Sequence, residues 1–518
     1  MKGILILGLS FFFVTAKAQW SFEKVYPLSG QSLGGKIIRT SNGDFVISGR
    51  TFSSQINFSE PYLLRIDTAG NLKWAKTFSG TGSFGAGTVV ETRDSGFAVI
   101  GIGQYTLGNN VKMFLIRTDK NGDTLWTKSY GGGLTNYIVD LIQTSDGGFV
   151  MTGYTNSYLP SGFNMYVIKI DSIGSYVWKR TFGGHSSDFG TAVKETADHG
   201  FIVAGNTGSF SCWITDAYLV KLNSSGNLQW SKTFCVAGSC SASDVLETTD
   251  SGYVLIGNCG LYQSNDDDIF MIRTNSIGDT IWTKTFGGVN YDDGYQIKVT
   301  PDSGYVVVGY SSSFDTSGTP FCFKTDFQGN LQWSKIAFEG QGSSYSSLVI
   351  SDSAIYVSGT RNNLGLSSVS FSRIGLNGYG CNLIPIQTPE KHYTLQVHSP
   401  GTLVGTGGTY YSHPFQTISG TSVVEICDIV GIPSYPHSLN YFFQIDPNPA
   451  STTFTINSSL IENENGTIEI IDVLGRNVFT GIARVKAEYN IASLTAGVYF
   501  VQLKTREGTA VSKLVISH

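Results

Sequence analysis

Short apolar runs bounded by turn residues fill most of this chain, and they recur on a fixed period. In residues 188–234 the pattern predicts four strands, at 191–196, 200–205, 217–223 and 228–234. The second of these returns at 44–49, 96–101, 148–153, 200–205, 252–257, 304–309 and, in degenerate form, 354–359, which makes seven units. The third strand of a unit (166–170, 218–222 and 270–274 are examples) is apolar on both faces, broken mainly by one Lys or Arg. A half-exposed strand would alternate, whereas one packed on both faces need not. Asp-x-x-Gly turns at Asp67, Asp119 and Asp171 separate third from fourth strands, and Asp-Ser-Gly or Asp-Gly-Gly turns at Asp94, Asp146 and Asp250 separate first from second.

Tryptophan marks the same period. Trp74, Trp126, Trp178, Trp230 and Trp282 stand 52 residues apart, Trp333 follows at 51, and each comes four residues after a glycine. A repeat of this length signals units that cannot bury their apolar faces alone. Four short strands per unit, covered on both faces, fit sheets stacked radially about an axis. The fold class expected is therefore all-β, with a seven-bladed β-propeller of four-stranded blades over residues 19–378. One Trp per blade on the outermost strand suits packing between blades better than a sugar platform. The two ends complement each other. Residues 20–26 read like a fourth strand, Trp20 matching Trp74, with nothing before it; the seventh unit has three strands and then no Trp. The N-terminal strand is expected to complete the last blade and leave no open edge; the competing source of that strand is 379–386.

Composition narrows the setting. Charged residues make up 14% of the 518, net charge is −5, and no basic run supplies the phosphate-neutralising charge that a nucleic-acid partner needs. Residues 1–18 read as a signal peptide, with Lys2, an apolar core and Ala16-Lys17-Ala18 before the cut. No later apolar stretch is long enough for a transmembrane span. Eight of 13 prolines fall between Pro385 and Pro449, which predicts a Pro-rich linker or small β module over 379–440.

The last segment carries Pro447-Asn448-Pro449, then an Asp-x-x-Gly-Arg hairpin at Gly475 and Arg476, a Leu-x-x-Gly-x-Tyr strand at Gly497 and Tyr499, and a closing strand at Lys513. Residues 441–518 resemble the type A sorting domain of type IX secretion substrates in Bacteroidota. The resemblance implies a small Ig-like β-sandwich and export through the periplasm. It also implies recognition by the type IX machinery at the outer membrane, then release or attachment at the surface. The Asp-x-x-Gly-x-x-x-Trp phrase of the repeats is similar to the tryptophan-docking motif of quinoprotein dehydrogenases. It has one residue fewer between Asp and Gly, and no haem-binding Cys-x-x-Cys-His.

Seven cysteines in an exported chain point to disulfides with one thiol left over. Cys212, Cys235, Cys240 and Cys259 fall near one face of adjacent blades and are expected to form two disulfides of open connectivity. Cys381 and Cys427 are candidates for another, and Cys322, inside a third strand, is expected to be free and buried. The same face carries the longer loops, where binding residues are best sought. Its candidates are Asn136, His185, Asp188, Tyr291, Asp292 and Asp293. Loop carboxylates of this kind ligate Ca²⁺ or meet a sugar, but more commonly bond their own backbone. No nucleophile–base pair, cofactor fingerprint or His spacing for a metal stands out. The expected function is a secreted or surface-attached binding or scaffold protein, non-enzymatic and cofactor-free, recognising a glycan, polymer or protein. The alternatives are a propeller glycoside hydrolase or polysaccharide lyase and a structural spacer without ligand.

Overall fold

The computed structural model describes residues 21–517 except 29–30, 53–58, 80–81, 106–110, 159–161, 212–213, 236–237, 262–265, 316–317, 338–342, 352–353, 364–365, 381–382, 392–395, 400–402, 406–408, 413–415, 420–423, 430–443, 448–449, 458–465, 473–475, 485–486 and 505–508. The expected signal peptide, Trp20, Cys212 and Cys381 lie outside the described residues. Strands and turns account for the described chain, with no helix, and it divides into two compact units, 1–431 and 432–518.

The first unit holds seven five-stranded sheets, each built on a four-strand antiparallel series. In the fourth, Asp188–Glu195, Phe201–Thr207, Asp216–Leu222 and Leu228–Cys235 pair in that order. Third strands such as Asn164–Ile170 and Asp216–Leu222 are buried along their whole length. In five of the sheets the cation that breaks this apolar run is buried as well, and it is paired. Lys169 meets Asp146 at 2.7 Å, Lys221 meets Asp198 at 2.9 Å and Lys324 meets Asp302 at 2.6 Å. Arg117 and Arg273 hold Asp94 and Asp250 in the same way. Each Asp sits in the turn between first and second strands, so a buried charge ties the turn to the sheet interior. Burial opposes ionisation of Asp146 and Asp198, yet hydrogen bonds from the lysine and a turn threonine prevail and lower both to about 2.

The sheets contact one another in a cycle through their first strands: Gln31–Arg39, Gly82–Glu91, Asn136–Gln143, Asp188–Glu195, Gly238–Glu247, Asp292–Val299, Ser344–Ser351 and back to Gln31–Arg39. Side chains spaced by the repeat stitch this inner circle. The Asp140 carboxylate accepts the Val193 amide at 3.0 Å, Asp244 accepts Ile297 at 3.3 Å, and Gln296 accepts Leu348 at 2.7 Å. Ser347 Oγ accepts the Ile37 amide at 3.2 Å, which joins the seventh sheet to the first. On the outside, each tryptophan leans on the third-to-fourth-strand turn of the next sheet. Gly174, at φ 84°, leaves no room for a side chain: a Cβ there would lie 2.9 Å from the Trp126 ring.

The leading strand, Ser21–Tyr26, pairs antiparallel with Leu366–Gly375 of the seventh sheet. Its register differs from the expected one. Phe22, rather than Trp20, lies opposite Arg373, as Trp74 lies opposite Arg65, and Phe22 packs beside Gly70 of the first sheet. The repeat length agrees, since residue 22 precedes Trp74 by 52. Tyr26 Oη then donates to the Gly70 carbonyl at 2.8 Å, as Tyr130 does to Gly174 at 3.0 Å.

Residues 379–440, expected to be a linker or small module, contain instead a series of short strands that each join one sheet. Leu383–Pro385 pairs with the fourth strand of the sixth sheet, so the 379–386 segment does not complete the seventh. Glu390–Lys391, Gln396–His398, Leu403–Gly405, Thr409–Ser412 and Gln416–Ser419 add to the fifth, fourth, third, second and first sheets in turn. Val424–Ile429 then pairs with the leading strand, placing Cys427 opposite Glu23. A four-stranded sheet leaves its outer edge unpaired, and backbone pairing with a passing chain covers that edge without requiring particular side chains.

The second unit has a three-stranded sheet (Gln444–Asp446, Thr453–Asn457, Glu488–Asn490) and a four-stranded one (Asn477–Ala483, Gly466–Asp472, Gly497–Lys504, Thr509–Ile516). Ile445, Phe454 and Tyr489 of the first share one core with Ile468, Ile470, Val501 and Leu514 of the second.

Candidate functional site

The opening residues of the first strands show what the expected ligand-binding positions do. Ser32, Phe84, Asn136, Asp188, Cys240 and Asp292 recur every 52 residues, Ser343 follows at 51, and all seven are buried. Asp188 receives the Gly184 amide at 3.0 Å and Ser209 Oγ at 2.6 Å on one oxygen, and Thr207 Oγ1 on the other. Asp292 receives the Gly288 amide at 2.8 Å and Ser313 Oγ at 2.6 Å. Asn136 does the same with the Gly132 amide at 3.1 Å and Thr155 Oγ1 at 2.7 Å. These side chains fasten the incoming loop to the second strand and are buried as they do so. In the fifth sheet the position is Cys240, and its cross-strand partner Cys259 closes a disulfide. The covalent bond stands where Asp188 and Thr207 share a hydrogen bond in the fourth sheet. Cys322 is a buried free thiol, pushed up to about 12 by burial.

One residue further along, strand alternation points the side chain the other way. Tyr137, Phe189, Ser241 and Asp293 occupy this position in successive sheets, all half-buried. Across from them on the second strands stand Tyr154, Asn206, Asn258 and Tyr310. The Tyr137 ring stacks on Tyr154 with centroids 4.6 Å apart, and Tyr154 meets Phe189 of the next sheet edge-on at 4.7 Å and Phe163 at 5.3 Å. Asn206 donates to Ser241 Oγ at 3.2 Å, which continues the band into the fifth sheet. These residues, from four consecutive sheets, lie at the loop-bearing end of the circle of first strands. Of these only Asp293 is a candidate from the sequence, although a one-residue offset from Asn136 and Asp188 also finds Tyr137 and Phe189.

The band ends in an acid–aromatic group. Tyr291, exposed in its loop, donates from Oη to Asp293 Oδ2 at 2.9 Å. The other Asp293 oxygen is buried and meets no hydrogen-bond donor among the described residues. Burial, with Asp267 nearby, raises Asp293 to about 6 against the opposing Tyr291 bond. His185 is exposed in the loop before Asp188. Among the described residues no three His, Cys, Asp or Glu side chains are placed to hold a metal ion. At the opposite end of the circle, a cavity of about 380 Å³ is lined by Pro301, Asp302, Lys324, Gln332, Trp333 and Leu376, with its Asp302–Lys324 charges already paired.

In the second unit, Arg476 returns to Asp472, Nε to Oδ2 at 2.7 Å, and so fastens its hairpin. Tyr499 is buried, with Oη donating to the Thr495 carbonyl at 2.9 Å, and Gly497 opens the same strand. Lys513 lies opposite Phe500 in the last strand, and Pro447 is exposed. Asn448, Pro449 and Gly475 lie outside the described residues.

Residues 444–517 match the family model of the secretion system C-terminal sorting domain. The chain thus joins a repeated four-strand unit to a secretion sorting tail. Its tail implies export by the type IX route to the cell surface or extracellular space. An uncharacterized WD repeat-containing protein of Acanthamoeba polyphaga mimivirus is 21% identical over 233 residues, 40% of this chain and 15% of that relative's length. Among solved structures, Trypanosoma rangeli sialidase with the inhibitor DANA overlaps at TM-score 0.32 and 10% identity, covering 66% of this chain and 55% of its own. The extracellular domain of the putative hybrid two component system BT3049 from B. thetaiotaomicron overlaps at 0.26 and 9%, covering 93% and 72%. Overlaps this low say nothing of substrate or mechanism. No helix among the described residues is long and apolar enough to cross a membrane.

Proposed function

We propose that the first unit is a seven-bladed propeller, closed by its leading strand, that binds an extracellular glycan at the loop-bearing mouth of the ring. The second unit is its Ig-like address for the type IX machinery at the outer membrane. The observation that carries the reading is the half-buried band of Tyr137, Tyr154, Phe163 and Phe189 continuing into Asn206 and Asn258. Flat ring faces beside amide groups suit a sugar, whose C–H faces stack on aromatics while its hydroxyls take hydrogen bonds. The repeat tryptophans are spent between sheets, so this band supplies the aromatic surface.

The test is a broad glycan array on the purified mature protein. Tyr154→Ala and Phe189→Ala should each weaken the best binder by about tenfold, the loss expected from one good stacking contact. Ile281→Ala, exposed on an outer strand, should change nothing. Absence of any glycan ligand, or unchanged binding by both aromatic variants, rejects the proposal.

One observation favours a second reading, glycoside hydrolysis. A carboxyl held at about 6 beside another carboxyl suits a general acid. A hydrolase panel in which the parent turns over a substrate and Asp293→Asn does not would establish it, and a parent without turnover would dismiss it.

A further inference from the structure

The axis of the ring carries a second set of charges, remote in sequence from one another and distinct from the mouth. At one repeat position the first strands place Lys36, Thr88, Asp140, Ala192, Asp244, Gln296 and Ser347; two residues further on lie Lys194 and Lys298. Lys194 spans two carboxylates, Asp140 at 3.4 Å and Asp244 at 3.1 Å, which belong to the sheets on either side of its own. Lys36 of the first sheet and Lys298 of the sixth converge on the same group. Asp140 interacts with both Lys194 and Lys36, and Lys298 interacts with Asp244, Lys36, Lys194 and Asp140. Five charged side chains from five different sheets therefore act on one another across the circle, three of them in direct contact.

Their balance is uneven: three ammonium groups face two carboxylates. Both carboxylates are engaged by Lys194 and by backbone amides, Val193 for Asp140 and Ile297 for Asp244. The ammonium groups of Lys36 and Lys298, both half-buried residues, meet no hydrogen-bond or ion-pair partner among the described residues. A third donor lies on the same circle. The Gln296 side chain, 2% exposed, uses its oxygen to accept from Ser347 and Leu348, and its amide nitrogen is buried without an acceptor. Leaving a buried N–H donor without an acceptor is costly, half-burying unpaired charges adds to the cost, and an anion set between them reduces both.

We propose that the propeller axis binds one small inorganic anion, chloride or a tetrahedral oxyanion, between the Lys36 and Lys298 ammonium groups and the Gln296 amide. Burial, with Lys36 and Lys194 close by, lowers Lys298 to about 8 in the protein alone; an anion would restore its charge. The site ties the first and sixth sheets across the ring, so its occupant would act as a hub for sheets that share no edge.

The mature protein, exchanged into sodium gluconate, tests this. Chloride, sulfate and phosphate are titrated at matched ionic strength while the melting temperature is read. At least one of them should raise it saturably, by several degrees at a large excess over Kd, relative to gluconate. Lys298→Met and Lys36→Met should each remove the saturable part. Crystals soaked in bromide or selenate should show anomalous density on the axis within hydrogen-bond distance of Gln296 Nε2; this second measurement needs no variant to fold. Equal melting in all anions, a saturable rise that survives both substitutions, or no axial anomalous peak each overturns the proposal. Glycan binding at the mouth is read separately and can fail or succeed independently.

Discussion

The two margins of every sheet in the ring are sealed by different means. Toward the axis, side chains do the work: Asp140, Asp244, Gln296 and Ser347 reach amides of the following sheet, and Asp188, Asp292 and the Cys240–Cys259 bond fasten the loop that enters each first strand. Toward the rim, the segments between 383 and 429 attach by backbone ladders of two to six residues. A margin held by particular side chains leaves a trace at the repeat period. A margin held by main-chain pairing does not, because the peptide group is common to all residues.

The leading strand lies between the third strand of the seventh sheet and the rim segment, so its removal has the largest expected effect. Deleting residues 19–28 strips Phe22, Val25 and Tyr26, each 8% exposed or less, from the core and unpairs Val424–Ile429 on its other side. At about 1.5–3 kcal/mol per large buried side chain the loss is ~5 kcal/mol or more. Calorimetry should show a sharp drop in Tm, with aggregation on size-exclusion chromatography. Next come the loop fasteners. Replacing Cys240 and Cys259 together by Ala should cost ~3 kcal/mol in denaturant unfolding, and Asp188→Ala ~2 kcal/mol, since it leaves the Gly184 amide and two hydroxyls without their acceptor. If Asp188→Ala proved neutral, the equivalence between the carboxylate and the disulfide would be wrong.

Hydrogen exchange separates the margins without mutation. Amides of 383–429 should exchange at least ~100-fold faster than those of the fully buried third strands, because short outer ladders open without disturbing the core. Uniform protection would mean that rim and interior open as one body. The smallest effect expected is one of acid. Asp146, Asp198 and Asp302 titrate near 2 in the folded chain, below the ordinary 3.8. Their contribution is therefore complete above pH 4 and is lost as pH falls toward 2. These carboxylates are more than half exposed, so solvent screening keeps the change modest. Lys169→Met should flatten the Asp146 part of that decline in a series of melts against pH.

What could be read beforehand follows the same division. The strand order, the seven repeats and the buried third strands were visible because side-chain alternation and the 52-residue spacing record them. The buried Lys and Arg of those strands were noticed as interruptions, but their Asp partners lie some 20 residues away, across a turn whose geometry the linear pattern hides. Asn136, Asp188 and Asp292 attracted attention as carboxylates and amides in loops, yet polar type alone does not say which way a side chain points. Their neighbours Tyr137 and Phe189, like the sequence candidate Asp293, point the other way and are half-buried. Matching Trp20 to Trp74 by residue type displaced the leading strand by two, where the spacing itself selects Phe22. The outer strands were illegible: prolines and brevity made the region look like a tether.

The path of that outer region has a bearing on how the molecule matures. It visits the sheets from the sixth back to the first and finishes on the strand with which the described chain begins. The leading strand thus waits for partners nearly 350 and then 400 residues further along the chain, so the circle cannot be completed before residue 429 is in place. Encirclement by such a late-arriving girdle would make assembly slow and topologically non-local, and only a chain delivered as far as residue 429 could be cinched shut.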